Sequence, residues 1–287
     1  MDVVVPYAPG GPTDLAARTI GSYYEEEFDE TVVVENEPGA SGTMAMNELI
    51  SSEPDGYTVK LIAAPATVVV PLVEDVGYTA DDFDTVGVIT VVPSVLAVGS
   101  DSPYESAEEF LEAAEESPGE LSVGTPGANT SQSLEMQRLD EEYGVEVTTV
   151  PFEGNTEMTS ALLGGNVDAI MINASEDVLA NIEAGDFVPL AASPEERPDF
   201  LSDTPTFREL GYEDLTLSTS LFGFGVPNDT PEDITGKLED TLREALEDPE
   251  VREQLGEEYI ADEFIDAEEF REQLDEIVEV YEPILSE

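Results

Sequence analysis

Three short stretches of this chain combine small residues with hydroxyls. They are Gly10-Gly11-Pro12-Thr13-Asp14, Ala64-Pro65-Ala66-Thr67 and Gly124-Thr125-Pro126-Gly127-Ala128-Asn129-Thr130-Ser131. Each follows an apolar, strand-like run and leads into a helix-like pattern. The first turn of a helix carries N–H groups with no intrahelical acceptor and a partial positive charge. Open α/β sheets take ligands beyond the C-terminal ends of their strands. Loops of this kind can therefore hold a carboxylate without any cationic side chain. Capping of the helices is the plainer use of any one loop taken alone, but two such loops in corresponding halves of the chain favour a site. Asp14 has two readings. It orients the first loop or holds an ordered water, or it favours its helix by placing a negative charge near the N-terminus. Arg18, four residues on, is placed to pair with it.

Catalytic signatures are missing. The chain has no phosphate-binding G-x-x-x-x-G-K-[ST], no dinucleotide fingerprint, no nucleophile elbow and no EF-hand spacing. It has no His and no Cys, so the commonest general base and the thiolate metal ligand are both excluded. With 67 Asp and Glu, acid pairs arise by chance and carry no catalytic information. We expect neither an enzyme nor a cofactor or metal site.

The charge balance excludes further classes. Against those 67 acids stand 9 Lys and Arg, for a net charge of −58, and the only lysines are Lys60 and Lys237. Nucleic acid needs clustered cations, so it is not an expected partner, and an anionic membrane surface is a poor one for the same reason. Such a surface repels itself unless salt screens it. The Debye length falls from ~10 Å at 0.1 M salt to ~3 Å at 1 M. The composition therefore reads as adaptation to salt-saturated surroundings. No run of about 18 apolar residues marks a membrane span. The chain opens directly on the strand-like Asp2-Val3-Val4-Val5-Pro6, from which we expect that a targeting segment has been removed and Met1 added.

The elements that must position the loops alternate strand and helix. Strands are expected at residues 3–5, 31–35, 57–63, 121–124, 145–151, 167–172 and 187–192, the last at a sheet edge because of Pro189. Helices are expected at 13–27, with Leu15, Ala16, Ile20 and Tyr24 inward, after the 38–42 loop, and after a capping box from Ser106 to Glu109. Others follow at 131–143 and 156–163. Thr230 should cap a helix with Pro231 in its first position and Ile234, Leu238, Leu242 and Leu246 as its buried stripe. A last helix from about 266 should bury Phe270, Leu274, Ile277 and Tyr281. Two long apolar runs, 86–98 and 215–226, read as crossings between two lobes. Lobe 1 is then 1–100 plus 223–287 and lobe 2 is 101–222, with a hinge and an interlobe cleft.

With these loops in view the sequence resembles the Bug family, the substrate-binding proteins of tripartite tricarboxylate transporters. The resemblance rests on Val4 through Asp14 with Ala17-Arg18, on Val33-Val34-Glu35-Asn36-Glu37-Pro38-Gly39-Ala40-Ser41-Gly42, and on Pro54-Asp55-Gly56-Tyr57-Thr58. It continues through Pro151-Phe152-Glu153-Gly154, Leu163-Gly164-Gly165-Asn166-Val167-Asp168, Pro205-Thr206-Phe207, Glu209-Leu210-Gly211 and Phe222-Gly223 to Thr230-Pro231. It implies a bilobal type II periplasmic-binding-protein fold, and a small carboxylate (di- or tricarboxylate) held by backbone amides, hydroxyls and waters. It also implies an extracytoplasmic, usually monomeric protein that serves membrane permease subunits. Presentation of ligand to a receptor kinase is the alternative, with an enzyme on the same fold as a third reading that the missing catalytic motifs oppose. Carried over by position, the contacts are Tyr7, Gly11, Thr13 and Asp14, then Ala66 and Thr67, then Gly127, Asn129, Thr130 and Ser131, with Gly154 and Asn173 from the far lobe. Leu221 stands where relatives often carry Trp, Glu153 where Lys is common, and Thr67-Val68 in place of a more polar stretch. The lipid-anchoring Cys of many such proteins is not in this chain.

Overall fold

The computed structural model describes residues 1–7, 9–39, 42–152 and 154–285. It divides into two compact units: Met1–Val91 with Leu221–Glu287, and Val92–Ser220.

The first unit contains strands β1 (Asp2–Val5), β2 (Val33–Asn36), β3 (Thr58–Ala64) and β4 (Phe83–Val92) and helices α1 (Pro12–Phe28), α2 (Thr43–Ser51) and α3 (Ala66–Val73). The second contains β5 (Ser94–Gly99), α4 (Ala107–Glu116), β6 (Ser122–Thr125), α5 (Ser131–Tyr143) and β7 (Thr148–Pro151). It continues with α6 (Asn155–Leu163), β8 (Ala169–Asn173), α7 (Glu176–Ala184) and β9 (Phe187–Ala192). The first unit is completed by β10 (Ser220–Pro227), α8 (Glu232–Glu247), α9 (Pro249–Leu255) and α10 (Ala267–Leu285).

The sheet orders are β2-β1-β3-β10-β4 and β7-β6-β8-β5-β9. In each sheet three parallel strands stand in the order second-first-third: β1 pairs in parallel with β2 and β3, and β6 with β7 and β8. An antiparallel strand follows in both, β10 on β3 and β5 on β8. Helices cover both faces, so the central strands are largely apolar, the buried Lys60 of β3 being an exception. In the second unit the side-chain alternation of a strand divides the core in two. Leu96, Val98, Ala169 and Met171 pack with Phe110, Leu111, Met136 and Leu139. Val95, Ala97, Ile170 and Ile172 pack with Met158, Leu162 and Phe187 on the other side. Burying one such residue as completely as Phe110 stabilises the fold by roughly 1.5–3 kcal/mol.

Helix α1 buries Ala16, Ala17, Ile20 and Tyr24, and the Tyr24 hydroxyl donates to the Leu238 carbonyl of α8 at 2.8 Å. Gly21 lets α1 lie close on β2, since a Cβ there would meet Val32 and Val34 at 3.3 Å. The stripe Phe270, Leu274, Ile277 and Tyr281 of α10 is buried as its spacing predicts. Pro189 does sit on an edge strand, β9.

Several elements differ from the sequence reading. Leu15 is exposed (48%), and Asp14 is buried in its stead, drawn in by hydrogen bonds described below. Thr230 does not cap α8. Its hydroxyl turns back to the Pro227 carbonyl at 2.6 Å, and the N-cap is Pro231. The expected Ser106 cap of α4 forms, accepting from the Glu109 amide at 3.2 Å, but the Glu109 carboxylate accepts from the Glu105 amide at 2.9 Å in place of the reciprocal capping-box bond. Helix α7 was not anticipated, and Asp248 starts a separate helix, α9, by accepting from the amides of Glu250 and Val251. The second unit begins at Val92, earlier than the expected 101, because β5 pairs with β8 and β9.

Candidate functional site

The first loop runs from the C-terminal end of β1 into α1. Gly10 takes φ +92°, a left-handed conformation that a side chain disfavours. Gly11 is the N-cap, Pro12 follows, and the first intrahelical bond is Leu15 N–H to the Gly11 carbonyl at 3.0 Å. Thr13 and Asp14 therefore present amides with no acceptor within the helix. Asp14 is the organiser of this turn. Its carboxylate accepts from Gly10 N–H (2.8 Å), Asn36 Nδ2 (2.9 Å) and Arg18 Nε (3.1 Å), with Arg18 Nη2 at 2.9 Å. The Arg18 guanidinium, with the Gly10 and Asn36 donors, holds its carboxyl down at about 2 in spite of burial. Asn36, at the end of β2, also donates to the Tyr7 carbonyl at 3.1 Å. Tyr7 is half-buried, and burial pushes its hydroxyl pKa up.

The second loop joins β3 to α3. Pro65 is the N-cap, and Val68 and Val69 donate to its carbonyl, which leaves the amides of Ala66 and Thr67 without helical acceptors. Ala66 is exposed, but Thr67 is buried. The Thr67 hydroxyl closes the strand-to-helix turn by donating to the Ala63 carbonyl and accepting from the Ala63 amide, both at 3.2 Å. Tyr78 donates to the Thr67 carbonyl at 3.1 Å. Burial, with the nearby Tyr7 hydroxyl, pushes the Tyr78 pKa up to about 12. Tyr7, Gly11, Thr13, Asp14, Ala66 and Thr67 thus share one edge of the first sheet, at the ends of the adjacent parallel strands β1 and β3.

The third loop leaves β6. Gly127 has φ +152°, and its carbonyl accepts from the hydroxyls of Thr125 and Thr130, each at 3.1 Å. Thr130 is the N-cap of α5, accepting from Ser133 N–H at 3.4 Å, and the first intrahelical bond is Leu134 to Thr130. The amides of Ser131 and Gln132 are left without helical acceptors. Asn129 is exposed, Thr130 half-buried and Ser131 buried. Gly154 caps α6 at the end of β7, and Asn173 ends β8. Both strands flank β6 or pair with it directly, so Gly127 to Ser131, Gly154 and Asn173 share the corresponding edge of the second sheet. Glu153, singled out in the sequence, lies outside the described residues, as do Ala8, Ala40 and Ser41 of the quoted loops.

The cations are engaged within the fold, Arg18 by Asp14 in the first loop itself. Arg18, Arg138, Arg197, Arg208, Arg243, Arg252 and Arg271 each form an ion pair with Asp or Glu. Lys237 lies over the Phe28 ring at 4.5 Å. Lys60 is buried, with Nζ donating to the Gly42 carbonyl at 3.2 Å, and burial pulls its pKa down to about 7 against the pull of Glu37 and Glu48. All nine cations of the chain are thereby accounted for. No group of three or more metal-ligating side chains occurs among the described residues, and no helix there is long and apolar enough to cross a membrane. An anion at these edges meets backbone N–H groups, hydroxyls and amides.

Sequence reasoning missed Asn36, Tyr78 and Gln132, of which Asn36 and Gln132 carried no distinguishing spacing.

A family model described as the tripartite tricarboxylate transporter family receptor matches residues 16–287. Among solved structures, a TctC solute-binding protein from Polaromonas, without ligand, superposes with a TM-score of 0.86 at 26% identity, covering 100% of this chain and 97% of that one. MatC from Rhodopseudomonas palustris, with bound malate, gives 0.76 at 26% identity over 99% and 98% of the two chains. A second Rhodopseudomonas palustris protein, with adipate, gives 0.77 at 29% over 99% and 95%.

Proposed function

Because this chain belongs to the tripartite tricarboxylate transporter receptor family, we propose that it is an extracytoplasmic solute-binding protein that captures a small di- or tricarboxylate for the membrane permease subunits of such a transporter. It does so as a monomer and without cofactor or metal. The observation that carries this reading is the pairing of two facts. Three strand-to-helix loops present first-turn amides that have no helical acceptor, and all nine cations are engaged within the fold. A solute suited to such edges is an anion small enough to be held by backbone dipoles. The two ligand-bearing relatives hold malate and adipate, which favours carboxylates over other anions.

In this reading the edge of the first sheet offers a ligand the amides of Thr13 and Ala66 with Tyr7, Gly11 and the Thr13 hydroxyl, and the edge of the second sheet offers the amides of Ser131 and Gln132 with Gly127, Asn129, Thr130, Gly154 and Asn173. Asp14 and the Thr67 hydroxyl act indirectly, by fixing the turns that aim those amides. A thermal-shift screen in molar KCl tests the assignment. Malate, adipate and citrate are compared with a neutral sugar and a divalent cation. A native-state ligand at 100 times its Kd stabilises by about 2.7 kcal/mol, so at least one acid should raise the melting temperature by several degrees. A response to the sugar or the cation, with none to any acid, would overturn it.

A further inference from the structure

One buried side chain in the first turn of α5 reaches both places where the chain passes between its compact units. The chain enters the second unit at Val92 and leaves it after Ser220. Gln132 is 4% exposed, and both Nε2 hydrogens are used. One goes to Ser94 Oγ at 3.0 Å and the other to Asn173 Oδ1 at 2.8 Å. Its Oε1 accepts from the Ser131 hydroxyl at 3.3 Å. Ser94 sits beside the entry. Having accepted from Gln132, its hydroxyl donates to the Ser218 carbonyl at 2.6 Å. Asn173 in turn donates to Ser220 Oγ at 3.1 Å. A parallel route runs from Ser94 N–H to Ser193 Oγ at 2.9 Å and on to Thr219 Oγ1 at 3.0 Å.

The same helix face continues the contact. Gln132, Glu135 and Arg138 are spaced by three residues and so lie near one another on α5. Glu135 Oε2 accepts from Leu217 N–H at 3.3 Å, and Arg138 Nη1 donates to the Asp214 carbonyl at 2.8 Å. Both side chains are buried. The segment 214–220 is thus clamped along α5, and α5 cannot shift without breaking buried bonds or taking that segment with it. Within the segment, Ser218 Oγ is buried and has no partner among the described residues. An unpartnered buried hydroxyl is costly, and a second arrangement of the segment can relieve that cost.

We propose that Gln132 is a positioning residue that couples ligand capture at the first turn of α5 to the conformation of the two crossing segments, 92–94 and 217–220. This rests on the carboxylate reading above. The backbone N–H of Gln132 faces the ligand edge while its side chain holds Ser94 and Asn173, so one residue senses occupancy and transmits it. A coupling between separated sites requires a physical element that both of them bias, and this network supplies one.

The test is hydrogen–deuterium exchange by mass spectrometry on the full chain in molar KCl, with malate, adipate and citrate as probes. For wild type, an acid that binds should slow exchange at 130–133 and also in peptides spanning 92–94 and 217–220. Gln132→Met keeps the backbone amide but loses both side-chain donors. It should retain the protection at 130–133, lose that at the crossings, and bind about tenfold more weakly. Ser94→Ala, which leaves Gln132 intact, should lose the 217–220 protection alone and serves if Gln132→Met does not fold. Wild-type protection at 130–133 with none at the crossings, or unchanged crossing protection in the variants, overturns the coupling and leaves the carboxylate assignment standing. Failure of every acid to protect 130–133 in wild type overturns both.

Discussion

Asp14→Asn tests whether a single carboxylate shapes the first loop. Oδ2 of Asp14 accepts from Gly10 and Arg18, and Oδ1 accepts from Asn36 and faces Arg18. Asparagine offers one acceptor oxygen, and its NH2 group would face either the Gly10 or the Asn36 donor. One of the two buried bonds is therefore lost, with donor set against donor. Hydrogen bonds to a charged group contribute about 1.5–3 kcal/mol each. The Arg18 pair adds less than about 1 kcal/mol, because the arginine side chain is 48% exposed. A loss of roughly 2–3 kcal/mol follows. The same contacts lower the carboxyl pKa, and the size of that shift agrees. A fall from the ordinary 3.8 to about 2 corresponds to roughly 2.5 kcal/mol at 1.36 kcal/mol per pH unit. Its sign is fixed: a depressed carboxyl stabilises above its unfolded pKa and ceases to do so as pH falls through the folded one. Urea denaturation at constant molar KCl should show wild type ahead of the variant by that amount at neutral pH. The gap should be constant down to about pH 4 and close towards pH 2. Carboxylate affinity should fall with it, since Gly10 is released. Equal midpoints at neutral pH, or a gap that widens in acid, would rule out this role for Asp14.

Two further predictions concern charge. Lys60→Met should stabilise the protein below pH 7 and remove a slope in wild type. The unfolded chain keeps the Lys60 proton up to about 10.5 while the folded one releases it near 7, so wild-type stability rises with pH across that window. Thermal unfolding of both proteins from pH 6 to 10 reads this directly, and parallel curves would count against it. Raising KCl from ~0.1 M to ~3 M should increase the melting temperature markedly, because screening relieves the repulsion of a chain at −58. An unchanged melting temperature would remove salt adaptation as the reason for the composition.

Local chemistry was legible in the sequence. The four-three-four spacing of Phe270, Leu274, Ile277 and Tyr281 specified the inner face of α10, and the alternation of strand and helix specified the α/β class. The loops after β1, β3 and β6 announced themselves through glycine, proline and hydroxyls, which act on their immediate neighbours. What escaped was set by competing side-chain bonds and by distant residues. Leu15 fits the apolar stripe by spacing, yet the pull of Asn36 and Arg18 on Asp14 turns the opposite side of that first turn inward. Thr230 has the chemistry of a cap but finds the Pro227 carbonyl first. The Ser94 hydroxyl reaches a carbonyl 124 residues away, and no local periodicity encodes such a pairing. The place of β10 between β3 and β4 is non-local in the same way.

That placement has a consequence for how the protein is made. Residues 92–220 are contiguous, so the second unit is complete as soon as Ser220 has been synthesised. The first unit begins earlier and finishes later. Until Pro227 emerges, its sheet exists only as β2-β1-β3 and a separate β4, because the strand that joins them is β10. The apolar residues of β3 and β4 stay uncovered throughout that interval, and an open strand edge is a template for the wrong partner. A nascent chain of this design has to be kept apart from its neighbours for more than half of its translation. The insertion of one unit within another thus sets a requirement on the chain as it leaves the ribosome as much as on the folded protein.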